Sequence, residues 1–362
     1  MPDDFQLDKT PNFTLPNLAQ AVPAYANASL PMPIIIAAER EPGELVFAEN
    51  ATVYEFTPYE FGSWAFGSDF KSPGAFTPME FLGTSLEMAL QMGRAGKVTT
   101  SFREERCAMG TSATLFNGAF LELNGTDTGL LGDFLNDILE DLGDDQLDVS
   151  RVPNPFASFN SGDNPVSAFD FITLLNAGET DQNVVPLEPL IEPTRNLDAI
   201  IAFDASGDTD TTWPKWLPEV PSVNGFVNGG FNSSPTFFGC NDTDTPILVF
   251  VPSYPWTSAS NTSTFQLEYS TDEALEVMLS GMRSLTLNGT VKSWPTCLAC
   301  ALSDRVFEYT SANRSSTCQS CFDTWCWDGT GLIIRPSRPL IRQEQGAYLL
   351  GWWSRDWFKG TR

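Results

Sequence analysis

Leu174-Leu175-Asn176-Ala177-Gly178-Glu179, followed by Asn183-Val184-Val185-Pro186-Leu187 and Pro189-Leu190-Ile191, is the most informative stretch of the chain. It has the shape of a turn that carries a catalytic carboxylate, with the amide of Asn176 where the carboxylate belongs. A neutral amide cannot take a proton as a carboxylate does. The stretch therefore points to a chemistry and to a departure from it.

Outward from this turn, three short apolar runs read as buried strands: Met32 to Ala38, Ala199 to Phe203, and Ile247 to Val251. Each is rich in Ile or Val and is bounded by proline or acidic residues. Two segments read as helices. In the first, Leu130, Leu131, Phe134, Leu135, Ile138, Leu139 and Leu142 recur at helical spacing. The second opens with Ser270-Thr271-Asp272-Glu273, the pattern of a capping box, in which Ser270 and Glu273 satisfy each other's free backbone N–H groups. Leu275, Met278, Leu279 and Met282 then form an apolar face, read as core packing. Strands alternating with helices point to an α/β layered domain.

The composition narrows the function classes. The 362 residues carry a net charge of -26, which argues against nucleic acid, whose phosphates need Lys and Arg, and against docking on anionic lipid. There is no histidine, so a Ser-His-Asp triad, a Cys-His dyad and every His-containing zinc site are excluded within this chain. N-glycosylation sequons begin at Asn12, Asn27, Asn50, Asn124, Asn232, Asn241, Asn261, Asn288 and Asn313. Chance would give about three or four. Their number suggests a surface built in the secretory pathway, although Met1-Pro2-Asp3-Asp4-Phe5 has neither the basic nor the apolar region of a signal peptide. The expectation is that a natural N-terminal part is missing from this sequence.

The seven cysteines are Cys107, Cys240, Cys297, Cys300, Cys318, Cys321 and Cys326. Cys297-x2-Cys300 and Cys318-x2-Cys321 have the spacing of a four-cysteine zinc ribbon. The sequon at Asn313 between the pairs and the fifth thiol of Cys326 nearby favour disulfides, as an oxidising compartment would form them. Cys240, Cys297, Cys300, Cys318, Cys321 and Cys326 are the disulfide candidates, with their pairing open.

Other candidate chemistry is weaker. Gly110-Thr111-Ser112-Ala113-Thr114 partly matches a nucleophile elbow but lacks its last glycine, so Ser112 reads as a helix N-cap. Asp141, Asp144 and Asp145 read as a solvated acidic stretch without the alternation of a calcium loop. From about Gly331 the character shifts to a basic tail with Trp352, Trp353 and Trp357. Such a tail has the composition for peripheral membrane contact. The abrupt change favours reading residues 331–362 as sequence foreign to the preceding domain.

Taken together, several blocks resemble the C-terminal part of the fungal lysophospholipases, or phospholipases B, whose catalytic domain is related to the cytosolic phospholipases A. They include Arg40-Glu41-Pro42-Gly43, Asn50-Ala51-Thr52-Val53-Tyr54-Glu55-Phe56, Glu60-Phe61-Gly62-Ser63-Trp64 and Val152-Pro153-Asn154-Pro155-Phe156. They continue with the stretch from Leu174 to Pro193, Pro235-Thr236-Phe237-Phe238-Gly239-Cys240-Asn241, Trp294-Pro295-Thr296-Cys297 and Cys326-Trp327-Asp328-Gly329. The resemblance covers residues 12–330. It implies a three-layer α/β/α lysophospholipase catalytic domain without its N-terminal part, no cofactor, and a secreted or cell-surface glycoprotein.

It further implies cleavage of acyl esters in lysophospholipids and phospholipids by a Ser/Asp dyad. The family's serine turn, Gly-x-Ser-Gly-Gly, is not found here. The family's Asp-Gly-Gly-Glu turn reads Asn176-Ala177-Gly178-Glu179, which makes Asn176 and Gly178 the candidate site residues. Two expectations follow. One is a lysophospholipase with impaired chemistry. The other is a non-catalytic secreted glycoprotein with a lipid-binding or interaction role.

Overall fold

The structure is a computed structural model that describes residues 15–40, 51–66, 74–79, 82, 111, 149–162, 164–177, 187–204, 230–231, 233–254, 256–258 and 269–329. The chain is mixed α/β and divides into two compact units. One holds residues 1–197 and 211–217, the other residues 198–210 and 218–362.

The first unit is built on a six-stranded antiparallel sheet in the order β4-β3-β2-β1-β6-β5. Its strands are β1 (Ile35–Glu39), β2 (Val53–Phe56), β3 (Glu60–Ser63), β4 (Ala75–Pro78), β5 (Ser150–Pro153) and β6 (Phe171–Asn176). Two one-turn helices, α1 (Leu18–Ala21) and α2 (Pro23–Ala26), precede it, and α3 (Glu188–Ile191) follows. The expected first strand is present but begins three residues late, at Ile35, beyond the prolines at positions 31 and 33. Proline has no N–H to give to a ladder, so pairing starts after it.

Strands β2 and β3 form a hairpin because Thr57 closes the turn. Its hydroxyl accepts from the N–H groups of Tyr59 and Glu60 and donates to the Glu60 carbonyl. Gly62 is required where β3 meets β4, since a Cβ there would lie 2.2 Å from the Ala75 carbonyl oxygen. One face of the sheet buries Tyr54, Phe56, Phe61, Phe66, Phe156, Ile172 and Leu174. Tyr54 stacks on Phe61 at 5.4 Å, and Phe66 meets Phe156 edge-on at 5.1 Å. In the block from Val152 to Phe156, the Asn154 amide donates to the Val166 and Phe169 carbonyls while its oxygen accepts from the Phe156 N–H. That asparagine serves the fold by satisfying backbone groups of the loop between β5 and β6.

The second unit has a three-stranded mixed sheet, β7-β9-β8. Its strands are β7 (Ala199–Asp204), β8 (Thr236–Phe238) and β9 (Ile247–Pro252); β7 runs parallel to β9 and β8 antiparallel. The continuous apolar run expected from Ile247 is buried along its whole length, as a central strand requires. Helices α4 (Thr271–Thr286), α5 (Trp294–Leu302), α6 (Asp304–Tyr309) and α7 (Ser316–Trp325) complete the unit. None of the described helices is long and apolar enough to cross a membrane.

The capping box is formed as read: Ser270 accepts from the Glu273 N–H, and Glu273 reaches back to the Ser270 N–H. The face assigned to α4 needs correction. Met278 and Met282 are 63% and 57% exposed, Leu279 is exposed and Leu275 only half-buried, while Ser280 and Ser284 are the buried residues. Both serine hydroxyls donate to the Tyr254 carbonyl. Small hydroxyl side chains let the helix approach the chain after β9 closely and satisfy its carbonyl, and that contact outweighs the apolar stripe. The other expected helix, around Leu130 to Leu142, lies outside the described residues, as do Asp141, Asp144, Asp145 and residues 331–362.

The six candidate cysteines pair as Cys240–Cys326, Cys297–Cys321 and Cys300–Cys318. Cysteines three apart share one face of a helix, so the two Cys-x2-Cys pairs of α5 and α7 meet as a double staple between antiparallel helices. These bonds use the sulfurs that a zinc ribbon would need. Around them Trp294, Trp325, Phe322 and Phe237 close a core on the sheet. Asp304 and Arg305 are buried beside it. Arg305 donates to Asp304 and to the carbonyls of Gly239, Asp242 and Thr245, while Arg314 donates to both Asp304 oxygens. The network ties α6 to the loop after β8.

Candidate active site

Asn176 is the last residue of β6 and pairs with Ala37 of the central strand β1. It is half-buried, and Ala177 after it is buried. Gly178, Glu179 and the segment from Asn183 to Pro186 lie outside the described residues, as does Ser112 of the elbow-like sequence. The neighbouring Thr111 is buried and donates to the Ser150 hydroxyl at 2.8 Å.

The register of β6 is fixed by polar as well as apolar groups. The Arg40 N–H donates to the Thr173 carbonyl at 3.1 Å, and the Thr173 hydroxyl donates to the Arg40 carbonyl. Directly opposite residues of an antiparallel pair share a sheet face. Asn176 therefore shares one with Ala37, and Ala37 with its other partner, Tyr54 of β2. Glu39, two residues along β1, points to that same side and is 7% exposed. The Tyr54 hydroxyl donates to Glu39 Oε2 at 3.1 Å. Burial first, and then the negative charge of Glu39, push the Tyr54 hydroxyl well above its usual range, so it remains a proton donor.

Leu187 and Pro189, at the start of α3, are buried. A short 3₁₀ turn, Pro193–Arg195, ends in Asn196 with a left-handed backbone (φ 50°). Arg195 there grips both oxygens of the buried Glu55 on β2 and lies 5.2 Å from the Trp64 ring centroid. Burial raises the Glu55 carboxyl above its ordinary range, against the lowering pull of Arg195 and Trp64. Burial likewise raises Glu192, opposed by Arg195. Glu55 pairs with Ile36, so its side chain lies on the opposite face of the sheet from Ala37 and Asn176. The ion pair thus anchors the 3₁₀ turn Pro193–Arg195 to the back of the sheet.

The arrangement offers an amide at the strand end, a buried carboxylate with a tyrosine donor on the same face, and a separate ion pair behind. Glu39 and Arg195 lie outside the blocks quoted from the sequence, and Glu55 lies within one, Asn50 to Phe56, without a role assigned to it there. The partners of Glu55 and Arg195 lie 140 residues apart, and no short-range signal marks them. No group of three or more potential metal ligands is present among the described residues.

A profile of the lysophospholipase catalytic domain matches residues 4–217 and 214–331. Phospholipase B of Cryptococcus neoformans var. neoformans serotype D is 59% identical over 365 residues, covering 94% of this chain and 57% of that protein. Lysophospholipase 2 of Aspergillus fumigatus is 41% identical over 330 residues, covering 83% of this chain and 55% of the relative. The chain thus spans a little over half the length of these curated relatives. Human GIVD cytosolic phospholipase A2 superposes with a TM-score of 0.49 at 15% identity, covering 80% of this chain and 47% of that structure.

Proposed function

This chain belongs to the lysophospholipase catalytic-domain family, and from that premise we propose that it serves the hydrolysis of acyl esters in lysophospholipids and phospholipids. The observation that carries this reading is the 59% identity to a phospholipase B across 94% of the chain. In the proposed site Asn176 stands at the position of the family's aspartate, with Gly178 two residues on in the sequence. Loss of a positioned base slows such chemistry by roughly 10²- to 10⁴-fold. The rate should therefore be low for the family unless another carboxylate takes that part.

The test is fatty-acid release from lysophosphatidylcholine by the purified chain. Release that scales with protein concentration and disappears on heat denaturation is the expected result; none at any concentration would rule the hydrolytic reading out. The amide at Asn176 favours a second reading, a lipid-binding protein without turnover. Retention of lysophosphatidylcholine without hydrolysis would select it, and failure to retain any acyl chain would remove it.

We also propose that the protein is a glycoprotein of the secretory pathway. The sequon asparagines among the described residues, Asn27, Asn241, Asn288 and Asn313, are all exposed, and the disulfides fit an oxidising compartment. A mobility shift on treatment with an N-glycosidase is expected. The profile match ends at residue 331, which supports reading 12–330 as part of a catalytic domain and 331–362 as a tail apart from it.

A further inference from the structure

We propose that Glu39 supplies the carboxylate that position 176 lacks. The proposal rests on the hydrolytic reading above and gives a residue to its proton transfer.

The geometry comes from the sheet. Ala37 has Tyr54 on one side and Asn176 on the other, all on one face. Glu39 follows two residues later on the same strand and face, opposite Leu174 on the β6 side. It is therefore diagonal to both Tyr54 and Asn176, a relation of about 7–8 Å between backbones that long side chains bridge. On the Tyr54 side the bridge is made, with the hydroxyl 3.1 Å from Glu39 Oε2. The mirror diagonal leads to Asn176 and is flanked by Ala37 on β1 and Leu174 on β6. Among the described residues, the side chain best placed to hold negative charge beside Asn176 is thus a glutamate on the neighbouring strand.

Charge accounting favours the same answer. Two carboxylates on one buried face repel, and one of them holds its proton. An aspartate at 176 beside Glu39 would create such a pair. With Asn176 that pair does not arise, and Glu39 keeps the hydrogen bond from the Tyr54 hydroxyl. The negative charge has moved one strand over. In turnover, a proton of the attacking water passes to Glu39 as the water oxygen bonds to the acyl carbon. The acid form returns that proton to the departing alkoxide as the ester C–O bond breaks, so the carboxylate is regenerated.

The test compares wild type, Glu39→Gln, Asn176→Asp and the double variant in fatty-acid release from lysophosphatidylcholine, with thermal melts to verify folding. Glu39→Gln should lower kcat roughly 10²- to 10⁴-fold at unchanged KM. The double variant should recover to within about tenfold of wild type, a rescue that a merely structural role for Glu39 would not give. Asn176→Asp alone should bring no increase, and this arm decides if Glu39→Gln fails to fold. Glu39→Gln at wild-type rate would overturn the proposal. So would an inert wild type that Asn176→Asp alone switches on, a result that leaves the hydrolytic reading standing. Inert protein in all four forms would overturn both.

Discussion

Burial and an ion pair pull the Glu55 carboxyl in opposite directions, and burial wins. A carboxyl raised in the folded state gives stability that is full below its ordinary range near 4.5 and lost as pH rises through the folded value. The melting temperature of wild type relative to Glu55→Gln should therefore fall as pH rises from about 4 to 7, because the glutamine variant does not titrate there. A difference that grows with pH would mean that Arg195 dominates. Asp304 is the contrasting case. It is buried between Arg305 and Arg314, so Asp304→Ala takes the carboxylate from Arg314 and leaves Arg305 to the partly exposed Glu308. Denaturant titration should show a loss of roughly 3–5 kcal/mol. At this scale the sequence exposed Asn176, because the turn sequence Asn176-Ala177-Gly178-Glu179 marks its place. It hid Glu39, Glu55 and Arg195, whose roles depend on which strands become neighbours.

Helix α4 separates what a local pattern can specify from what it cannot. The capping box is local chemistry, three residues from end to end, and it is legible and formed. Ser270→Ala should cost about 1 kcal/mol in a denaturant titration. Which face of the helix is buried is not local. The apolar stripe at Met278 and Met282 has the spacing of a core face, yet Ser280 and Ser284 are the buried residues and reach the Tyr254 carbonyl. Replacing Met278 with glutamate should therefore change stability by less than about 0.5 kcal/mol. Ser284→Leu, forced into the close contact with the segment at Tyr254, should lose about 1–3 kcal/mol. The reverse ranking would restore the stripe as the core. The strands show the same division. Runs at Ala199 and Ile247 announced themselves through continuous apolar character, whereas β6 became visible as a strand only through its pairing with β1 and β5.

Across the whole molecule, three disulfides close loops of 86, 24 and 18 residues in sequence separation. Each should add about 2–4 kcal/mol by restricting the unfolded chain. A non-reducing peptide map should recover the three links, and replacing Cys300 and Cys318 together by alanine should lower the melting temperature. The staple also explains how the second unit keeps a small three-stranded sheet: the helices that cover it are bonded to one another and, through Cys240 and Cys326, to the chain leaving β8. The amino-acid sequence by itself determined the class of the fold, the strands that are apolar throughout, the capped start of α4, the family, and the amide at position 176, because these follow from composition and from patterns a few residues long. Only the tertiary structure decided how six cysteines pair, which side of α4 is core, and that a buried glutamate shares a sheet face with that amide. Those depend on strand register and helix docking between segments far apart in the chain, and such contacts form only when a closed core makes the alternatives more expensive in buried surface and unpaired polar groups.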